Sequence, residues 1–288
     1  MHKIIQVKKQ RLLLASGGII LVASLFFFGR TVPFKTGGDK VQLVQSPSAR
    51  SIDFKDLLAK AKEKLNQSQK KQLLFIEEEN NASQSKQGQI KSFHQLADFW
   101  KDSAKVFEPY AYYLAEAAKL ENSEKSLTFA AHLFLDNLMA ESDFAMANWL
   151  AGNAKVLFDK ALQINKDNDS SKIGLAACYI LGNISGNPME GILPVKEIIQ
   201  RNPDNLYAQL ILGLGGKKSG QYDKAIEHFN YILQRQPKNL EVSLHLAECY
   251  DLKGDKVNAV KLYEIVKQAI PNKEAKTELQ NRINQLKN

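Results

Sequence analysis

Two consecutive stretches of 34 residues near the C-terminus share one pattern. They are residues 204–237 and 238–271. The matched positions are Leu212-Gly213, Gly220, Tyr222, Ala225, Phe229 and Pro237 in the first stretch, and Leu246-Ala247, Gly254, Lys256, Ala259, Tyr263 and Pro271 in the second. A fixed period of this length predicts a helical solenoid, in which each repeat buries its apolar face against the next. Such a chain is suited to holding other molecules rather than transforming them.

This spacing is that of the tetratricopeptide repeat (TPR), a pair of antiparallel helices, and the chain resembles that family. In the first stretch, Gly213 lets the two helices approach closely, and Gly220 suits the tight backbone of the turn. Ala225 is small enough for the helix crossing, Phe229 fills the space between repeats, and Pro237 ends the second helix. The resemblance implies an all-α, TPR-like solenoid of antiparallel helix pairs that binds proteins and is not an enzyme.

The repeat pattern continues upstream in a weaker form. Residues 175–179 align with residues 246–250, so residues 169–203 are predicted to form a third clear repeat. This repeat carries an insertion in the turn 181–188 and has Gly191 where the family usually has alanine. The preceding repeat is degenerate, with a second helix longer than the standard one.

An apolar run near the N-terminus is the second strong feature. Residues 12–29 form an uncharged run of 18 residues, which meets the lower length limit for a helix that crosses a bilayer. Bulky residues rather than alternating small ones end the run, so a cleaved signal peptide is disfavoured. The first cysteine is Cys178, so no lipoprotein cysteine stands at the boundary. The run therefore predicts a single membrane anchor that contacts the lipid bilayer.

Flanking charge gives the expected orientation. Lys3, Lys8, Lys9 and Arg11 precede the run, whereas Arg30, Lys35 and Lys40 follow it, so the excess of positive residues on the N-terminal side is small. The short tail of eleven residues before the run favours the same orientation, because it is easier to leave in the cytoplasm than the large C-terminal domain. We expect a bacterial inner-membrane protein with its N-terminus in the cytoplasm and its repeats in the periplasm. This layout resembles the translocon-associated YfgM type, which implies Sec translocon subunits, envelope chaperones or exported chains as partners. An anchored TPR factor of cytochrome c assembly and a regulatory subunit of an envelope complex stay open as alternatives.

The whole chain divides into nine predicted segments. They are a basic cytoplasmic tail (1–11), a transmembrane helix (12–30), a flexible linker (31–52), an irregular helical region with a degenerate repeat (53–121), a degenerate TPR (122–168), three TPRs (169–203, 204–237 and 238–271) and a C-terminal capping helix (272–288). Within the irregular region, periodic apolar residues predict helices over 53–65, 70–80 and 83–104, the first capped by Asp53. The degenerate TPR is predicted to begin with a helix over 123–139.

Composition and motifs argue against several other classes of function. The formal net charge is +8, but five of the 39 basic residues and no acidic residue lie in the first 30 positions. No nucleic-acid partner is expected, because the remaining charges are interleaved in sign. The five histidines never stand at ligand spacing from another histidine or a cysteine, so neither a metal nor another cofactor is expected. Cys178 and Cys249 lie two repeats apart, too far for a disulfide, and are predicted to be buried and inert.

A protein-binding groove is predicted on the inner side of the superhelix, where the first helix of each pair should face inward. Its residues are Ile173, Ala177, Ile180, Tyr207, Leu210, Leu214, Leu244 and Glu248. A groove of this composition suits an amphipathic helix or an extended apolar peptide. Alternatively, the protein's own helices, such as the one predicted over 53–65, cover it.

Overall fold

The structure is a computed structural model that describes residues 52–82, 85–182, 184 and 187–288, without the side chains of residues 80–82. The predicted basic tail and transmembrane helix, and residues 31–51 of the predicted linker, lie outside these ranges. Within the described ranges, no helix combines the length and the apolar composition needed to cross a bilayer.

Thirteen α-helices, and no strand, are present in the described residues. In chain order they are α1 (Phe54–Glu63), α2 (Gln67–Ala82), α3 (Lys86–Asp98), α4 (Phe107–Glu121), α5 (Glu124–Ala140), α6 (Phe144–Ile164), α7 (Asp169–Gly182), α8 (Met189–Arg201), α9 (Leu206–Lys218), α10 (Tyr222–Arg235), α11 (Leu240–Lys253), α12 (Lys256–Ala269) and α13 (Lys273–Lys287). A π-helical turn, Phe99–Ala104, continues α3. The helices α1, α2, α3 with this turn, and α5 occupy the four segments for which helices are predicted upstream of the clear repeats.

Polar side chains begin most of these helices. Asp53, the predicted cap of α1, accepts a hydrogen bond at Oδ1 from the backbone N–H of Lys55, with an N···O distance of 2.9 Å. Nine further helices have caps of the same kind, at Asn66, Ser85, Ser123, Asp143, Asn168, Asn205, Asn239, Asp255 and Asn272. Each cap satisfies a backbone N–H that has no partner inside the helix and stabilises it by about 1 kcal/mol. Local sequence therefore sets where the helices start.

Glycines allow the tight turn and the close approach within the repeats. Gly220 and Gly254 end the first helix of their repeats with φ of 74° and 86°, a backbone conformation that disfavours a Cβ atom. This confirms the turn role predicted for Gly220. At Gly213, an added Cβ would lie 2.5 Å from ring carbon Cε1 of Phe229. The helices α9 and α10 therefore approach as closely as the sequence predicts.

The helices pair and then stack. From α5 to α13, each helix packs against the next one along the chain. The helices α5, α7, α9 and α11 also contact one another in that order. Because these four are the first helices of successive pairs, they form one layer of a TPR-like solenoid. At its N-terminal end, α1 packs against α4.

A continuous apolar core runs through the stacked pairs. It extends from Ala111 in α4 to Cys249 in α11, and the rings of Phe134, Phe158 and Phe229 are fully buried in it. A smaller cluster lies at the N-terminal end around Trp100, and another at the C-terminal end. In the latter, Ile283 and Leu286 of α13 pack with Ala247, Ala259 and Tyr263, so this helix covers the last repeat.

Both cysteines are buried, and neither forms a disulfide bond. The Cys178 thiol donates to the carbonyl oxygen of Gly174 at 3.2 Å. Burial raises the pKa of Cys178 to about 12 and that of Cys249 to about 11. Since the thiolate is the reactive form, neither side chain is a nucleophile at neutral pH.

Candidate functional site

The eight residues of the predicted groove fall into a buried group and a half-buried group. Ile173 and Ala177 have no exposed surface, while Leu214 is 5% and Ile180 is 8% exposed. All four belong to the main core. Ile173 and Ala177 offer no surface to a partner, since α7 and α9 pack against each other. Ile180 and Leu214 keep a little surface and line the cavities described below, so their role in binding stays a prediction.

The half-buried group lies on α9 and α11. The Tyr207 ring stands 5.8 Å from the His132 ring, centroid to centroid, and its hydroxyl group is buried with no hydrogen-bond partner in the described part of the chain. Burial raises the pKa of this hydroxyl. Leu210 packs at the edge of the main core and Leu244 at the edge of the C-terminal cluster. These residues, together with Glu248, keep accessible surface, and their role in binding stays a prediction.

Glu248 joins the first helices of two repeats. Its Oε2 atom lies 2.6 Å from Lys217 Nζ on α9 and 3.3 Å from His245 Nδ1 on its own helix. Burial opposes the charged form, but the hydrogen bonds from His245 and Lys217 outweigh it and lower the pKa of Glu248 to about 2. The carboxylate is therefore already paired within the protein, and this position stabilises the stack.

The stability of the stack is expected to depend on the charge of Glu248. Because the folded-state pKa is depressed, the stabilisation is present above the unfolded value of 4.5 and is lost as the pH falls from there toward 2. Partial exposure limits the effect to about 1 kcal/mol. Urea denaturation at neutral pH should show Glu248→Gln to be less stable than the native chain, with the difference shrinking below pH 4.5. Glu278→Gln, at an exposed position of α13, serves as the control. A pH-independent loss in Glu248→Gln would contradict the ion-pair explanation.

A cavity of about 350 Å³ lies beside the buried Leu214. Leu138 and Met139 near the end of α5, exposed Phe144 at the start of α6, and Lys217 near the end of α9 line it. Its walls are mostly apolar and come from three helix pairs. This cavity extends the half-buried face toward α5.

A larger cleft of about 540 Å³ lies between α8 on one side and α9 and α10 on the other. We call it the α8–α10 cleft. Ile180, Met189, Ile192 and Leu212 form its apolar part. Lys196, Lys218, Lys224 and His228 line it as well. Sequence reasoning missed this cleft, although the insertion over 181–188 marks the repeat in which it forms.

Within the described residues, no group of three or more histidine, cysteine or acidic side chains is placed to hold a metal ion. The half-buried face on α9 and α11 and the two cavities described above are surfaces with apolar walls. Apolar surfaces of this kind, built from several helix pairs, bind polypeptides in solenoid proteins.

Stacked helix pairs with these turns and contacts define an all-α helical-repeat protein. Residues 218–283 match the family model described as tetratricopeptide repeat. This range includes α10, α11 and α12, so this part of the chain is similar to tetratricopeptide repeats.

Two human proteins show the similarity at the level of sequence. Interferon-induced protein with tetratricopeptide repeats 2 from Homo sapiens is 32% identical over 127 residues, which cover 41% of this chain and 26% of that protein. Antiviral innate immune response effector IFIT1 from Homo sapiens is 26% identical over 173 residues, which cover 55% of this chain and 36% of that protein. The matched regions thus span only about a quarter to a third of these relatives.

Solved structures with a similar arrangement include the crystal structure of MamA protein, with 17% identity and a TM-score of 0.41. The match covers 62% of this chain and 90% of that chain. A tetratricopeptide repeat protein from Parabacteroides merdae has 16% identity and a TM-score of 0.40, over 76% of this chain and 86% of its own.

Proposed function

We propose that this chain is a membrane-anchored TPR scaffold, without enzymatic activity, that binds other proteins or unfolded client segments in the cell envelope. The observation that carries the proposal is the stack of helix pairs from α5 to α12 with a half-buried apolar face on α9 and α11. Repeats arranged in this way present one surface across several pairs, which suits an extended partner. Tyr207, Leu210 and Leu244 supply its apolar part.

The proposed anchor is the predicted transmembrane helix over 12–30, which contains the apolar run 12–29. Its flanking basic residues support a cytoplasmic N-terminus and periplasmic repeats at a bacterial inner membrane. In that location, the partners available to the repeats are Sec translocon subunits, envelope chaperones and exported chains. An ancillary role at the translocon, or a chaperone-like role in assembly, follows from this placement.

A photoreactive amino acid at Leu210 of the full chain in living cells tests the proposal. Leu210 is preferred to Leu214 because the latter is only 5% exposed, so a substitution there would report on folding. Mass spectrometry of the captured proteins should identify translocon subunits, envelope chaperones or exported chains. The same probe at Lys261, an exposed position on α12, should capture at least several-fold less of them.

Three results would count against the proposal. Equal capture from Leu210 and Lys261 would show that the face on α9 and α11 is not selective. Crosslinks confined to the chain itself would show that the face is covered. Capture of cytosolic proteins alone would overturn the proposed topology.

A further inference from the structure

The α8–α10 cleft lies where α8, which packs closely on α7, packs only sparsely against α9. The connection between Gly182 and Met189 is longer than the connection between Lys218 and Tyr222 in the next repeat. The helix α8 also packs less extensively against α9 than α10 does against α11. In addition, Gly215 and Gly216 of α9 line the cleft and contribute no side chain to fill it. The volume of about 540 Å³ lies within the range of sites that bind ligands.

Positive charge in the cleft is not balanced by the protein. Lys218 Nζ donates to the backbone carbonyl oxygen of Leu181, and Lys224 Nζ donates to Gln221 Oε1 at 2.7 Å. In the described ranges neither these two lysines nor Lys196 forms an ion pair, whereas Lys217 and Lys253 each pair with a carboxylate.

The acidic residues nearest in sequence on α8 and α10 do not neutralise the lysines of the cleft. Glu190, Glu197, Asp223 and Glu227 are all absent from the cleft wall, and Asp223 is paired with Lys253. Burial lowers the pKa of Lys218, and it also lowers the pKa of His228. A carboxylate brought by a ligand would therefore favour the charged form of both side chains.

The other residues that line the cleft favour an acidic polypeptide over a nucleic acid as the ligand. Met189 is 44% exposed, and with Ile180, Ile192 and Leu212 it offers an apolar surface beside the lysines. No Phe, Tyr or Trp lines the cleft, so it lacks the stacking platform on which proteins hold unpaired bases. Apolar and cationic groups side by side match a polypeptide whose acidic and apolar side chains alternate.

We propose that the α8–α10 cleft binds an acidic, leucine-rich stretch of a partner protein. Its carboxylates pair with Lys196 and Lys224, and its apolar side chains lie on Met189 and Ile192. This inference rests on the proposed function only in taking the occupant to be a polypeptide, since it uses a different surface from the face on α9 and α11.

Fluorescence anisotropy on the purified full-length chain in detergent micelles tests the inference, with protein-free micelles as the blank. The probe is a labelled peptide of about twelve residues in which glutamates alternate with pairs of leucines, and the matched peptide has glutamine in place of glutamate. Because both lysines are exposed, each ion pair contributes modestly. The glutamine peptide, which forms neither pair, should bind about five- to thirtyfold more weakly.

Variants of the protein locate the effect. The double variant Lys196→Gln with Lys224→Gln should lose about five- to thirtyfold in affinity for the glutamate peptide. Neither lysine forms an ion pair in the described structure, so the fold should be unaffected, as circular dichroism will show. Lys261→Gln, an exposed lysine on α12, should bind like the native chain.

Several outcomes would overturn the inference. Equal binding of the two peptides, absence of binding, or an unchanged double variant would each do so. Tighter binding of a single-stranded oligonucleotide of equal charge, lost in the double variant, would make the occupant a nucleic acid. If crosslinking from Leu210 fails while the lysine-dependent peptide affinity remains, the α8–α10 cleft is a binding site and the proposed role of the face on α9 and α11 is wrong.

Discussion

Replacing Phe229 by alanine is expected to lower the free energy of unfolding by about 3–5 kcal/mol. The ring is fully buried, and it fills the space that Gly213 leaves between α9 and α10. The surrounding helices cannot collapse onto the cavity without breaking the stack of repeats. Urea denaturation followed by circular dichroism measures the loss.

The position of the loss is as informative as its size. In a solenoid each repeat contacts only its neighbours, so a core defect destabilises mainly the repeats beside it. Hydrogen exchange should therefore quicken in α9, α10 and α11 more than in α4 and α5. Phe129→Ala is the control, because that ring is 60% exposed and its removal should cost little. Comparable losses in both variants would contradict the assigned core.

Gly191→Ala is expected to destabilise the protein by about 1–3 kcal/mol. Alanine is the better helix former and is the residue the repeat family usually has here, so propensity alone predicts a gain. An added Cβ at Gly191, however, would lie 2.5 Å from the carbonyl oxygen of Ala176. Because this neighbour is backbone, α7 and α8 would have to move apart. Thermal denaturation should show a lower midpoint than that of the native chain.

Gly152→Ala provides the matched control for this substitution. Gly152 lies inside α6, and an added Cβ there would have no atom within 4 Å. The same chemical change should therefore stabilise the chain by roughly 0.5–1 kcal/mol through helix propensity. If both variants were stabilised, the close contact between α7 and α8 would not be real.

The features that could be predicted from sequence are the local and periodic ones. Gly220 occupies a left-handed turn, Phe229 fills the space between α9 and α10, and Asp53 caps α1. Each of these depends on residues within one repeat or one turn of helix. A period of 34 residues also predicts that each repeat packs against the repeats before and after it in the chain.

The accessible surface could not be predicted in the same way. Leu210 and Leu214 are one helical turn apart, and this spacing predicts the same face for both, yet only Leu214 is enclosed in the core. The difference arises from how α7, α9 and α11 sit against one another, which depends on side chains far apart in sequence. Spacing within a single helix gives the direction of a side chain but not what covers it.

The α8–α10 cleft illustrates the same limit for charge. Lys196 and Lys224 belong to different repeats, and each occupies an ordinary exposed position of its own helix. They come to line one cavity because α8 and α10 flank the same cleft. The insertion could be located from sequence, but the opening that accompanies it could not.

The two buried thiols can serve as probes of local unfolding in the native protein. Cys178 lies in α7 and Cys249 two repeats further on in α11, and both are buried in the native state. A thiol reagent can modify either one only when its own repeat opens. The modification rates at the two positions therefore measure the opening equilibria of two regions of one solenoid, without any engineered label. Binding of a partner that spans α9 and α11 would slow the reaction of Cys249 more than that of Cys178.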